Sequence, residues 1–265
     1  MLIDSLIDTH CHLGAAEFDP DRQAVVESAR RAGVALMVVP AVARTDFGAV
    51  ASLAREYPDF CAAAYGIHPL YVDHAREEDL TALRATLQRE QAVAVGEIGL
   101  DRFVAERDDE TQRHYFVEQL KIARDFDLPV LLHVRRAVDA VLRELRRIGV
   151  RGGIAHAFNG SRQQADAFLQ LGFKLGFGGA LTFPRALRIR QLATTLPLDA
   201  IVLETDAPDM SPAWKVGARN TADQLPRIAA TLAELREMPV DSLYAATTAN
   251  ALAVLPGLAR FIHGH

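Results

Sequence analysis

The stretch DTHCHL, residues 8–13, sets two histidines around a cysteine, with Asp8 two positions before the first of them. On an extended strand, residues i and i+2 point to one face, so His10 and His12 can reach a single metal ion. On a helix the same pair would point apart. Cys11 then faces away and reads as packing, while Asp8 shares the histidines' face one step deeper, placed to support them from below. Further polar groups follow along the chain: Glu97 and Asp101 in GEIGLD, His133 two before Arg135, His156 three before Asn159, and Glu204 two before Asp206. Neutral imidazole and carboxylate oxygen are ligands for zinc, manganese and related ions. Four histidines (His10, His12, His133, His156) and two acids (Glu97, Asp206) exceed the needs of one ion. Two ions bridged by a carboxylate would use them all, clamping the attacking and leaving oxygens of a displacement. Each residue also has a plainer reading. A lone histidine at a strand end is commonly a satisfied polar residue, Glu204 could pair with a cation in the barrel wall, and Asp101 could cap a turn. His68 could simply hold the turn of GIHP, residues 66–69. The coincidence of so many, rather than any one, carries the metal assignment.

That coincidence depends on the elements that hold the residues. Strand-like apolar runs occupy residues 2–10, 35–42, 60–68, 92–100, 129–134, 152–158, 173–181 and 201–208. Their near-continuous apolar character suits parallel strands buried on both faces. Between them lie segments with apolar residues at helical spacing, among them 25–33, 116–126, 138–149 and 165–172. Gly33, Gly149 and Gly172 stand where such helices should stop. Eight strand–helix units in a chain of 265 residues predict a single-domain α/β protein spanning 1–265, a (β/α)8 TIM barrel. An open doubly wound sheet is the alternative, but no GxGxxG follows the first strand. Residues 222–255 read as two extra C-terminal helices packed outside the barrel. In such barrels the active site forms at the C-terminal ends of the strands. Five of the nine histidines fall there.

Composition narrows the classes. Half of the residues are hydrophobic, enough for a large core, and the charged fraction of 24% argues against disorder. No apolar run is long enough for a membrane span. The first ten residues carry no basic segment or cleavage site of the secretory type. Cys11 and Cys61 make no disulfide framework, so a cytoplasmic location is expected. The net charge of −5 disfavours a protein that clamps a long duplex through many phosphates. A nucleic-acid contact would be local, or supplied with charge by metal ions.

The motifs DTHCHL, GIHP, GEIGLD, the block RHYFVEQLKIARDFDLPVLLHVRRA, HAFNGS and LETDAP together resemble the TatD-type metal-dependent deoxyribonucleases, within the wider amidohydrolase-like barrels. The resemblance covers residues 7 to 255. It implies that His10 and His12 hold one divalent ion with Asp206, that His133 and His156 hold a second, and that Glu97 bridges the two. It leaves open whether the ions are zinc, manganese or magnesium. Asp206 would orient or deprotonate the attacking water, with Glu97 and Glu204 as the further catalytic carboxylates. His68, Arg135 and Asn159 would contact substrate. The chain also departs from the family's usual pattern. Arg102 stands where an aromatic commonly follows GLD, and Ala157 stands where a Cys is usual. Asp209-Met210 follows LETDAP, and Arg219-Asn220-Thr221-Ala222 replaces RNEP. None of these removes an expected ligand; all lie in loops that would line the mouth. Trp214 in the same region either stacks on a base or, the reading preferred, covers the loop's own apolar surface.

The reading that follows is a two-metal phosphodiesterase acting on DNA ends, a 3'-5' exonuclease-like activity on single strands, with DNA or a short single-stranded nucleic acid as partner. A monomer is favoured, with no membrane attachment. The altered loops motivate an alternative, hydrolysis of an ester or amide in an aminoacyl-type or small-metabolite substrate. A non-catalytic barrel with structural metals is disfavoured, since structural zinc sites are closed and cysteine-rich whereas these ligands line an open mouth.

Overall fold

The computed structural model describes residues 6–106 and 108–261. Eight strands form one parallel sheet in chain order: β1 (Leu6–Asp8), β2 (Val34–Pro40), β3 (Cys61–Tyr65), β4 (Ala94–Asp101), β5 (Val130–Arg135), β6 (Gly153–Ala155), β7 (Phe173–Phe177) and β8 (Ile201–Leu203). A helix follows each of the first seven: α1 (Arg22–Arg31), α2 (Phe47–Glu56), α3 (Glu77–Arg89), α4 (Asp109–Asp125), α5 (Val138–Ile148), α6 (Arg162–Gln170) and α7 (Leu187–Thr195). The ring is drawn together between β8 and β1. Thr9 N donates to Leu203 O at 3.0 Å, Asp206 N to His10 O at 2.8 Å and His12 N to Ala207 O at 2.8 Å. This is the expected (β/α)8 barrel. Residues 2–5, the beginning of the expected first strand, lie outside the described residues.

The wall alternates as a period of two demands. Leu36, Val38, Ala62, Ala64, Leu131, Ile154 and Val202 fill the interior. Met37, Val39, Cys61, Ala63, Leu132, Ala155 and Leu203 face the surrounding helices. Helices α1, α5 and α6 give way at Gly33 (φ 97°), Gly149 (φ 71°) and Gly172 (φ 81°), where a left-handed residue ends the helix without a Cβ clash.

Two expectations need correction. The seventh and eighth strands stop at Phe177 and Leu203 rather than at 181 and 208, because the chain there leaves the ladder to build the rim. The two C-terminal helices, α8 (Leu225–Leu235) and α9 (Val240–Val254), do not both pack outside. Leu225, Ile228 and Leu232 of α8 join the outer layer. Ala251 and Val254 of α9, with Leu255 and Leu258 after it, instead pack on the interior residues Ile7, Leu36, Ala94 and Leu131. They close the end of the barrel opposite the histidines. A helical period shows that a face is apolar, but not which surface covers it. Leu255→Ala should therefore cost about 2–5 kcal/mol through the cavity it leaves. The shift of the urea midpoint would measure it, and a near-neutral result would contradict the plug.

Candidate metal centre

The alternation that fills the barrel also aims its polar residues. Two residues beyond the inward Leu131 comes His133, and two further on Arg135; two beyond Ile154 comes His156; two and four beyond Val202 come Glu204 and Asp206. Glu97 needs a different device. Val95 and Ile98 both face the helices, yet a strict period would turn Glu97 outward with Val95. The β4–β5 register shifts between Val95 and Ile98, so three residues of β4 match two of β5 (Val95 opposite Val130, Ile98 opposite Leu132). That extra residue is a bulge, which re-aims a side chain. It brings the Glu97 carboxylate inside, 2% exposed.

Glu97 lies at the centre. Its Oε2 is 3.1 Å from His10 Nε2 and 3.4 Å from His12 Nε2. Asp206 Oδ1 completes that group, 3.8 Å from His10 Nε2 and 3.5 Å from His12 Nε2. The two imidazole nitrogens are 3.2 Å apart. Its Oε1 faces the other way, 3.1 Å from His133 Nδ1, 3.4 Å from His156 Nε2 and 3.7 Å from His68 Nε2. Zinc-type bonds of about 2.0–2.2 Å imply tetrahedral ligand–ligand edges of about 3.3–3.6 Å. The first group approaches that spacing, and three sets, His10–His12–Asp206, His10–Glu97–His156 and His68–Glu97–His133, bring donor atoms close enough to hold a metal ion.

Carboxylates behind the histidines fix which nitrogen points inward. Asp101 Oδ2 lies 2.9 Å from His133 Nε2 and Glu97 Oε1 3.1 Å from its Nδ1, so an ion replacing the Nδ1 proton would leave Asp101 to hold the Nε2 proton. Asp101 also accepts from Phe103 N at 2.8 Å, the turn-capping role open to it from the sequence. Glu204 sits behind His156, its Oε1 3.4 Å from Nδ1 and accepting from Ala157 N at 2.5 Å. Gly176 makes this possible, since a Cβ there would lie 2.1 Å from Glu204 Oε2. Glu204 thus lies behind His156, a candidate ligand. His68 differs from the other histidines. Its Nδ1 accepts from Leu70 N at 3.2 Å, which puts the proton of the neutral ring on Nε2, the atom that also stands with Glu97 and His133 in a group of metal-ligand spacing. Asp8 does not reach the cluster. It accepts from His10 N at 3.2 Å and from Thr205 N and Oγ1 at 3.0 and 2.6 Å, so its support acts through the β1–β8 seam.

Two residues that the sequence reading did not single out hold the frame from outside. Gln119 of α4 accepts from Ile67 N at 2.6 Å and donates to Ile67 O at 3.0 Å. Gln112 accepts from Asp101 N at 3.0 Å and donates to Pro69 O at 3.2 Å. Both are buried, seven positions apart on one helix face, and they bracket His68. A buried amide on an otherwise apolar face was the available signal.

The cluster opens into a cavity of about 1680 Å3, lined by His68, Arg135, Asn159, Asp206, Asp209 and Met210 among others. Arg135 and Asn159 are exposed at its mouth. Trp214 is absent from that lining. Its Nε1 donates to Gln224 Oε1 at 2.9 Å and Arg227 lies 4.1 Å above its ring, so it covers its own loop. Arg219 pairs with Asp21 and Asn220 donates to Thr205 O and Asp209 O, tying the divergent loop to α1 and β8.

Protons hold the metal-free cluster together. Burial opposes charge on His12, but its hydrogen bonds to the Asp206 and Glu97 carboxylates and their fields raise it to about 10. Burial likewise opposes charge on His156, and the fields of Asp206, Glu204 and Glu97 raise it to about 10. Burial pushes His68 down to about 3. A divalent ion must displace the His12 and His156 protons. Its binding should release up to two protons near pH 7 and weaken as the pH falls. Calorimetry in buffers of different ionisation enthalpy checks this, and heats independent of buffer would contradict it. In the metal-free protein the same protonations favour the fold: their contribution is complete below about pH 6.5 and lost as the pH rises through about 10.

Known proteins carry the same pattern. A family model described as TatD related DNase matches residues 7–256. The uncharacterized metal-dependent hydrolase YjjV of Escherichia coli (strain K12) is 42% identical over 252 residues, covering 94% of this chain and 97% of that protein. The 3'-5' ssDNA/RNA exonuclease TatD of Erwinia tasmaniensis is 33% identical over 254 residues, covering 93% and 98%. The crystal structure of the Escherichia coli YjjV superimposes with a TM-score of 0.92 at 41% identity, covering 96% of this chain and 99% of that one. With its strand-end histidines and central carboxylate on a (β/α)8 barrel, the chain belongs to the TatD-related DNase family.

Proposed function

We propose that the chain is one metal-dependent hydrolase domain, and that it acts as a two-metal phosphodiesterase on the ends of single-stranded DNA, in the 3'-5' direction. The observation that carries this is the division of Glu97, with one oxygen toward His10 and His12 and the other toward His133 and His156. His10, His12 and Asp206 would hold one ion, His133 and His156 the second, and Glu97 both. Zinc, manganese or magnesium there supplies a Lewis acid and a water of lowered pKa. The chain's own groups do the rest. Asp206, 13% exposed beside His12, accepts the proton of the attacking water. His68, neutral and with Nε2–H inward, donates to a phosphoryl oxygen, and Arg135 at the mouth meets the substrate's charge. Glu204 and Asp101 hold His156 and His133 in the working tautomer. The exonuclease named among the relatives supports the substrate class. Cys11 and Cys61, both free and buried, fit a reducing cytoplasm. No helix among the described residues is long and apolar enough to cross a membrane.

The departures at the rim favour one second reading. Asp209 and Met210 line the cavity where the family usually has an apolar pair, which would suit an ester or amide substrate. Chelated protein titrated with Mg²⁺, Mn²⁺ or Zn²⁺ should degrade an end-labelled single strand, and a parallel ester and amide panel separates the readings. No cleavage of the strand with any ion, at an intact fold, rejects the nuclease. Asp206→Asn should lower kcat by about 10²-fold or more with the circular dichroism unchanged. Retained turnover would remove Asp206 from the proton transfer.

A further inference from the structure

Arg102 stands where the family's usual pattern has an aromatic. The structure restores one a residue later. Phe103 stands in the loop after β4, 47% exposed. The Arg135 guanidinium carbon lies 3.6 Å from its ring centroid and that of Arg136 lies 4.6 Å away. The arrangement is tied to the centre at two points. Asp101, which holds His133, also holds Phe103 N, and Arg102 N donates to Arg135 O at 2.8 Å. Arg136 has φ 54°, a left-handed turn immediately after the strand that carries His133 and Arg135.

The charge here is unusual for this chain. Its net charge is −5, and arginines elsewhere, such as Arg30, Arg44 and Arg113, reach carboxylates. Among the described residues no carboxylate pairs with Arg135 or Arg136, and both line the cavity that holds His68 and Glu97. A half-exposed ring flanked by two unpaired cations matches a ligand with a flat apolar face and a neighbouring anion, which is the chemistry of a nucleotide unit. The cavity, at about 1680 Å3, exceeds the roughly 300–1,000 Å3 of a single small-ligand pocket and leaves room for more than the unit being cleaved.

We infer that Phe103, Arg135 and Arg136 form a second subsite, which takes the nucleotide next to the cleaved bond, its base against the exposed part of the Phe103 ring and its phosphate beside the guanidinium groups. The inference rests on the nuclease reading and goes beyond it by assigning a specificity role to Phe103 and Arg136. It makes cleavage sensitive to the base of the neighbouring unit, as well as to the bond itself.

The test uses manganese-loaded enzyme and an end-labelled single strand, compared with strands carrying an abasic unit at each of the last three positions. One abasic position should lower kcat/KM roughly tenfold in the wild-type protein, the worth of one stacked base. Phe103→Leu should erase that difference, and Phe103→Trp should keep it. Arg136→Ala should lower kcat/KM on all strands alike and flatten the salt dependence. Indifference of the wild-type enzyme to every abasic position, or wild-type discrimination in Phe103→Leu, overturns the subsite and leaves the nuclease standing. No cleavage of any strand overturns the nuclease reading, and the subsite with it.

Discussion

The structure turns on a buried carboxylate. Glu97 is nearly sealed from solvent and surrounded by imidazoles on both of its oxygens. An isolated charge in that position would be costly, and burial indeed works to protonate it. The histidines reverse the balance and hold the carboxyl well below its usual range. The same histidines are kept close together by the carboxylate. Each side of the arrangement offsets the charge of the other.

The barrel exists around that requirement. Parallel strands with inward residues at a period of two deliver His133, His156 and Asp206 to one end, while the other end is closed by α9 and the turn after it. The inside of the barrel is therefore apolar at the plugged end and ionic at the open one. The ionic half is insulated from water except through its mouth, which strengthens every charge interaction within it. The positive φ of Asp206 and of Ala157, 58° and 46°, marks where the chain bends sharply to leave the strands and still present its side chains.

Around the cluster lies a layer of further polar side chains. Asp101, Gln112, Gln119 and the Oε1 of Glu204 each reach a histidine or the backbone beside the cluster. They decide tautomer and reach, the difference between a nitrogen that offers a lone pair and one that offers a proton. His68 and His133 stand 4.3 Å apart, centroid to centroid, yet present opposite faces of that chemistry, because a backbone amide occupies one ring and a carboxylate the other.

The sequence by itself determined the barrel and the polar residues that its strand ends bring together. Both follow from local rules: apolar runs alternating with helical periods, and polar residues at the strand ends, where the period of two aligns them. It did not determine the aim of Glu97, because a bulge is a disagreement between two strands and is invisible in either one alone. The course of α9 was hidden for the same reason, since an apolar helix face names no partner. The roles of Asp101, Glu204, Gln112 and Gln119 depend on contacts between residues far apart in the chain, or on the space a missing Cβ leaves at Gly176. The tertiary structure decided these, and with them which imidazole nitrogens face Glu97 and which aromatic stands at the mouth.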